Sequence, residues 1–219
     1  MCSIIGSFDK EKFLELVKLN SYRGMFSHSL TVIQGITSTT VKNFGAFDEA
    51  LLEKIPDGCY MLGHCQAPTN GLIEDRERIH PYIKGPFKLF HNGIIKPQTM
   101  EMINRRLGTK YEWDTQALAE YITKDSGDKL YISADFVNSL EDIDGSFACC
   151  LVVGVNNIYI FRNSTAPLFI DNDLNISSTG FKDAQSIMFN SIYQLILYDR
   201  TYQEVATFEN KHDPFYFGV

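Results

Sequence analysis

Gly145-Ser146-Phe147-Ala148-Cys149-Cys150-Leu151-Val152-Val153-Gly154-Val155-Asn156-Asn157-Ile158-Tyr159-Ile160-Phe161 decides the fold class. Two apolar runs, Phe147 to Val153 and Asn157 to Phe161, flank a turn at Gly154 to Asn157 and read as a β-hairpin. The stretch is short of the about 20 apolar residues a membrane helix needs, and it carries Asn156 and Asn157. Before it the pattern is helical, over Pro97–Leu107, Asp114–Thr123 and Ser133–Leu140. After it come further short strands, at Leu168–Ile170, Leu174–Ser177, Gln194–Leu197 and Glu204–Phe208, with a short helix near Ala184. Strands run on from segregated helices, which predicts an α+β protein with mostly antiparallel sheets.

The first part of the chain adds strands at Ser3–Ser7, Leu30–Gln34, Tyr60–Cys65 and Phe87–His91, the last ending at an Asn92-Gly93 turn. Asp9 caps a helix whose Phe13, Leu16 and Val17 share one face. Phe47 to Ile55 is a short helix, stopped by Pro56 and Gly58. Residues 66–86 read as one long polar loop, and loops of that length are often functional. No repeat or linker divides the chain, so residues 1–219 are expected to form a single domain.

The composition is that of a folded soluble protein: 219 residues, 44% hydrophobic and 21% charged. It excludes long disorder, collagen and coiled coil. The net charge of −7 argues against nucleic acid as the main ligand, which needs a basic face, and against anionic membrane surfaces. The apolar start, Met1 to Phe8, meets Asp9, Lys10 and Glu11 at once and has no room for a signal-peptide core. A cytoplasmic protein is expected. Its five cysteines, Cys2, Cys59, Cys65, Cys149 and Cys150, are then free thiols. Cys149 and Cys150 lie in an apolar run and read as core packing.

Five short clusters could carry chemistry. Cys2 follows a removable methionine. Removal leaves a thiol and a free α-amine on one residue, and an N-terminal nucleophile can use its own amine as base. A retained Met1 would turn that amine into an amide and delete the base. Phe90-His91-Asn92-Gly93-Ile94-Ile95 reads as a hairpin turn, or as an oxyanion hole made by the Asn92 amide and the Gly93 N–H. Gly63-His64-Cys65-Gln66-Ala67-Pro68-Thr69-Asn70-Gly71 is a polar strand-to-loop junction. Ser21-Tyr22-Arg23-Gly24 holds Arg23, read as a surface arginine or as a buried orienting group. Asp114-Thr115-Gln116 opens a helix, where Asp is an ordinary cap. A zinc site from His64, Cys65, His80 and His91 lacks the usual ligand spacing.

In order, Met-Cys-Ser-Ile-Ile-Gly, Tyr-Arg-Gly, Gly-His-x-x-Ala-Pro-Thr, His-Pro, His-Asn-Gly-Ile-Ile, Asp-Thr and Asp-Gly-Ser-Phe-Ala resemble the class II glutamine amidotransferase domain, a family of N-terminal-nucleophile (Ntn) hydrolases. The resemblance runs from Cys2 to about Phe208. It implies a four-layer α/β/β/α sandwich of two antiparallel sheets, with no cofactor and no metal. Cys2 is then the nucleophile, and Asn92 and Gly93 bind the oxyanion. Gly93 and Asp114 hold the substrate ammonium, Arg23 fixes the Cys2 terminus, and Thr69 belongs to the substrate loop. The products are glutamate and ammonia, formed through a γ-glutamyl thioester.

Three positions depart from the family: Phe26 for aspartate, Ser29 for glycine, and Gln66 for the arginine that pairs with the substrate α-carboxylate. A neutral amide cannot form that bidentate ion pair. Arg78, or Arg76, could replace the charge. Three readings follow: a glutaminase whose ammonia goes to a separate synthase subunit, an amidohydrolase of the same fold acting on another amide, or a non-catalytic binding or assembly domain.

Overall fold

A computed structural model describes residues 2–67, 75–126, 132–155 and 157–210. Among the described residues, thirteen strands lie in two sheets. They are β1 Ser3–Ser7, β2 Ser27–Gln34, β3 Thr37–Phe44, β4 Tyr60–Gln66, β5 Tyr82–Lys84, β6 Phe87–Ile95, β7 Gly145–Val153, β8 Asn157–Arg162, β9 Phe169–Ile170, β10 Ile176–Ser177, β11 Gln185–Ser186, β12 Ser191–Ile196 and β13 Thr201–Thr207. The first sheet has the order β11-β9-β10-β1-β4-β2-β3, the second β13-β12-β8-β7-β6-β5. All pairings are antiparallel.

Side-chain alternation separates the layers. Ile4, Leu62, Phe90, Ala148, Cys150, Val152 and Ile160 pack between the sheets. Their sequence neighbours Ile5 and Met61 face outward instead, onto Phe13, Leu16 and Val17 of α1 (Lys10–Asn20) and Leu52 of α2 (Ala50–Glu53). Leu89, Cys149 and Leu151 of the second sheet face Ile103 of α3 (Pro97–Leu107), Leu118 of α4 (Asp114–Ile122) and Phe136 of α5 (Ala134–Glu141). The result is the expected α/β/β/α sandwich, and strands buried on both faces explain the near-continuous apolar runs.

The helix ends follow local chemistry. Asp9 accepts from the Lys12 N–H at 2.8 Å and starts α1. Pro97 sits in the first turn of α3, and Gly108, at φ 67°, ends it. Phe13 is fully buried, with its ring over Gly63, where a Cβ would come within 2.6 Å of the ring. Phe13→Ala is expected to lower the unfolding free energy by about 3–5 kcal/mol. A loss under about 1 kcal/mol in urea denaturation would contradict this packing.

Four details correct the sequence reading. The chain does not turn at Asn92-Gly93: β6 runs on to Ile95 because β7 pairs with it throughout, from Phe87↔Val153 to Ile95↔Gly145. The polar edge strand β3 was not expected, since its Thr-Ser-Thr-Thr run lacks an apolar face. The 66–86 loop carries a short strand, β5, at the edge of the second sheet. Near Ala184 there is a strand, β11, rather than a helix. No helix among the described residues is long and apolar enough to cross a membrane.

Candidate active site

β1 lies at the centre of the first sheet and crosses over β6 of the second. This crossing brings the first residues of the chain to the Asn92-Gly93 pair. Cys2 directly precedes β1, and its Sγ lies 3.5 Å from the Ala67 carbonyl at the end of β4. Arg23 is buried, and its Nε donates to the Cys2 carbonyl at 3.0 Å. It reaches there because the segment after α1 folds over the end of β4. Gly24 allows that approach: a Cβ there would sit 2.4 Å from the Gln66 carbonyl carbon. The Phe26 N–H then donates to the Gln66 carbonyl at 3.0 Å.

One hydroxyl joins the two key strands. Ser178 Oγ accepts from the Ile4 N–H at 2.9 Å and from Asn92 Nδ2 at 3.4 Å. Ser178 also donates its own N–H to the Ile4 carbonyl at 3.0 Å. The side-chain amide of Asn92 is thereby held against β1, the strand that follows Cys2. Gly93 follows at φ 150°, where a Cβ would fall 1.8 Å from the Ser146 carbonyl oxygen. Only glycine fits that backbone against β7.

Asp114 opens α4. Its carboxylate accepts from the Thr115 N–H at 2.8 Å and the Ile95 N–H at 3.3 Å, so it is fixed beside the end of β6. Gln66 is buried, with its amide against Ser27 Oγ and His80 Nδ1, each at 3.3 Å, rather than turned to an open surface. Arg78 is half exposed and pairs with Glu112 at 3.2 Å. Arg76 is exposed. Thr69 lies outside the described residues. The structure thus puts Arg23 on Cys2, Asp114 within electrostatic reach of Cys2, and Asn92 on the hydroxyl that also holds β1, and leaves Arg78 in a surface ion pair.

Three histidines that the sequence connects only through a zinc site of the wrong spacing form a buried group beside this site. His64 stacks on His80, with ring centroids 4.0 Å apart, and His80 and His91 share the Thr115 hydroxyl at 2.9 and 3.1 Å. Their mutual contacts, and the part played by Ser178, carried no signal in the sequence, since these residues converge from distant segments. Among the described residues no group of three or more His, Cys, Asp or Glu is placed to hold a metal ion.

Burial sets the protonation states. It pushes the Cys2 thiol above its usual range, with the Ala67 carbonyl contact and Arg23 pulling the other way, so the thiol is held in its neutral form. Burial also pushes the three imidazoles below the usual histidine range, His64 to about 3. For His91 the Asp114 carboxylate opposes it. The unfolded chain gains protons at these positions as pH falls through about 6.5, and the folded chain does not. Their contribution to stability is therefore complete above that pH and is lost below it. The loss is up to about 1.4 kcal/mol per pH unit for each imidazole. The urea midpoint should drop steeply from pH 6.5 to pH 5, and a flat profile would contradict buried neutral histidines.

The sandwich is similar to the folds of solved glutamine amidotransferases, and most of the chain is similar in sequence to part of glutamine-dependent aminotransferases. No protein-family model matches the chain. It is 28% identical over 181 residues to glutamine-fructose-6-phosphate aminotransferase (isomerizing) of Bartonella quintana (strain Toulouse), a match covering 78% of this chain and 30% of that protein. The same enzyme of Listeria innocua is 26% identical over 201 residues, 86% of this chain and 33% of the relative. The chain therefore spans about a third of the length of these relatives. Glutamine phosphoribosylpyrophosphate amidotransferase of B. subtilis, solved with ADP and GMP, superposes with a TM-score of 0.70 at 18% identity, over 94% of this chain and 49% of that one. At that identity the match speaks for the fold.

Proposed function

We propose that this chain hydrolyses the side-chain amide of glutamine to glutamate and ammonia, and that the ammonia passes to a synthase carried by a separate subunit. The observation that carries the reading is the Ser178 hydroxyl, which ties Asn92 to the strand that follows Cys2. That link supports reading Cys2 as nucleophile and Asn92 as oxyanion donor of one site.

The reaction follows from these groups. Cys2 Sγ attacks the amide carbon of glutamine, and its proton moves to the α-amine freed by loss of Met1. Charge develops on the amide oxygen, where Asn92 Nδ2 and the Gly93 N–H donate. The α-ammonium returns its proton to the leaving nitrogen, which departs as ammonia and leaves a γ-glutamyl thioester. Water, deprotonated by the same amine, attacks the thioester and releases glutamate. Asp114 holds the substrate ammonium, a charge-assisted pairing. Arg23 holds the Cys2 carbonyl, and so the direction of the terminus.

The test is glutamate release by the chain beginning at Cys2. Asn92→Ala is expected to lower kcat by about 10²–10³ with little change in KM, because its hydrogen bond strengthens only as charge develops. A loss under about threefold would remove Asn92 from the oxyanion site. A second reading, hydrolysis of another amide by the same fold, is favoured by Gln66, whose neutral amide cannot make a bidentate ion pair with a carboxylate. Glutamine with its α-carboxylate capped as an amide separates the two. Preference for the capped substrate supports the second reading, and preference for free glutamine the first.

A further inference from the structure

The buried histidines belong to a chain of contacts whose hydrogens can be counted. Gln66 Oε1 lies 3.3 Å from His80 Nδ1, and His80 Nε2 lies 2.9 Å from Thr115 Oγ1. Thr115 Oγ1 lies 3.1 Å from His91 Nδ1, and His91 Nε2 lies 3.4 Å from the Ser146 carbonyl. Each of the four contacts needs one hydrogen. Two neutral imidazoles and one hydroxyl supply three.

The Ser146 carbonyl can only accept, so His91 carries its hydrogen on Nε2. His91 Nδ1 is then bare and takes the Thr115 hydroxyl hydrogen. The Thr115 oxygen accepts in turn from His80 Nε2–H, which leaves His80 Nδ1 bare and facing Gln66. Thr115 Oγ1 also lies 3.5 Å from Asp114 Oδ1. If the hydroxyl turned there, the Thr115 oxygen would still accept from His80 Nε2–H. At 3.5 Å the Asp114 contact is longer than the 3.1 Å to His91 Nδ1, so the hydroxyl faces His91 and the missing hydrogen belongs at the Gln66 end. An imidazolium at His80 would supply it, but burial disfavours the charge. A half-turn of the Gln66 amide also supplies it. Nε2 then takes the place of Oε1, with one hydrogen aimed at His80 Nδ1 and the other at Ser27 Oγ, which accepts.

We propose that Gln66 is a positioning residue: its amide N–H donates to His80 Nδ1, fixes His80 and His91 as neutral Nε2–H tautomers, and so holds Thr115 in place beside Asp114. Gln66 then acts on substrate through His80 and Thr115 and does not contact it. The consequence for glutamine binding rests on the glutaminase reading; the tautomers do not. Glutamate at this position could only accept. It would force a hydrogen onto His80 Nδ1, and with it a proton into a group faced by Lys42 of β3, His64 of β4, His91 of β6 and Asp114 of α4.

The experiment is long-range 1H–15N spectroscopy of the full chain, which reports each ring nitrogen as protonated or bare, on the wild type, Gln66→Glu and Gln66→Leu. At pH 7 the wild type should show His80 with Nδ1 bare and Nε2 protonated. Gln66→Glu should show both ring nitrogens of His80 protonated, and Gln66→Leu a mixture of tautomers. KM for glutamine should rise about tenfold in Gln66→Glu, about one hydrogen bond's worth, with kcat held within about twofold. A wild-type His80 carrying its hydrogen on Nδ1 overturns the proposal, whatever the variants do. So does a His80 signal unchanged by both substitutions, or a KM that stays put while the tautomer changes. If the wild type shows the expected tautomers but releases no glutamate, the glutaminase reading fails and the tautomer assignment stands.

Discussion

Cys2→Ala is expected to abolish glutamate release, with a loss of at least about 10⁴ in kcat, the scale on which removing a covalent nucleophile acts. The other four thiols cannot take over. Cys59, Cys65, Cys149 and Cys150 are buried, and burial pushes the Cys65 thiol up to about 11. The chain that retains Met1 should be as inactive as the alanine variant, even though its thiol is intact, because the base is then an amide. This second comparison is the sharper one. A thiol used as a simple nucleophile would survive an added residue in part, whereas one that relies on its own amine would not. Kinetics of the three forms, each confirmed by intact mass, decide the matter. Activity in the Met1 form within about tenfold of the processed form would remove the amine from the mechanism.

Gly93→Ala should be the most disruptive glycine-to-alanine change among the described residues. Its Cβ would fall 1.8 Å from the Ser146 carbonyl oxygen and 2.9 Å from His91 Nε2, at a φ of 150° that other residues rarely adopt. Neither obstacle yields cheaply. The first belongs to the backbone of β7, and the second is an imidazole already held by Thr115. Relief requires β6 to part from β7 beside Asn92, which destroys the oxyanion geometry as well as the pairing. The expected cost is above about 4 kcal/mol in stability, with activity lost in whatever fraction stays folded. Gly108→Ala, at the end of α3 with open space around its Cβ, provides the control. It meets only the backbone strain of its positive φ, roughly 1 kcal/mol. Equal costs at the two glycines would contradict the close approach at Gly93.

The elements with strong periodicity were legible in the sequence. The face of α1 carrying Phe13, Leu16 and Val17, the doubly buried β7 and the hairpin into β8 need no tertiary information. Asn92-Gly93 shows the limit. The pair favours a turn by local chemistry, and only the register with β7 reveals that the chain continues straight. β3 was invisible because none of its residues is fully buried: its half-covered positions are polar, and its apolar Val41 and Phe44 are exposed. At the site, Cys2 and Asn92-Gly93 could be picked out by residue type and order. The links between them could not. Ser178 reaches Ile4 across 174 residues of chain, and Gln66, His80, Thr115 and His91 come from four separate segments. Gln66 stands out in the sequence as a departure from arginine. What it touches instead is set by folding.

The central claim is that one thiol, made nucleophilic by its own α-amine and faced by Asn92, attacks a glutamine side chain. Peptide mass spectrometry after treating the processed protein with an electrophilic glutamine analogue, with and without excess glutamine, tests it most directly. A single adduct on Cys2 is expected, suppressed by glutamine and absent from the Met1 form. Adducts spread over Cys59, Cys65, Cys149 and Cys150, or a Cys2 adduct indifferent to glutamine, would contradict it.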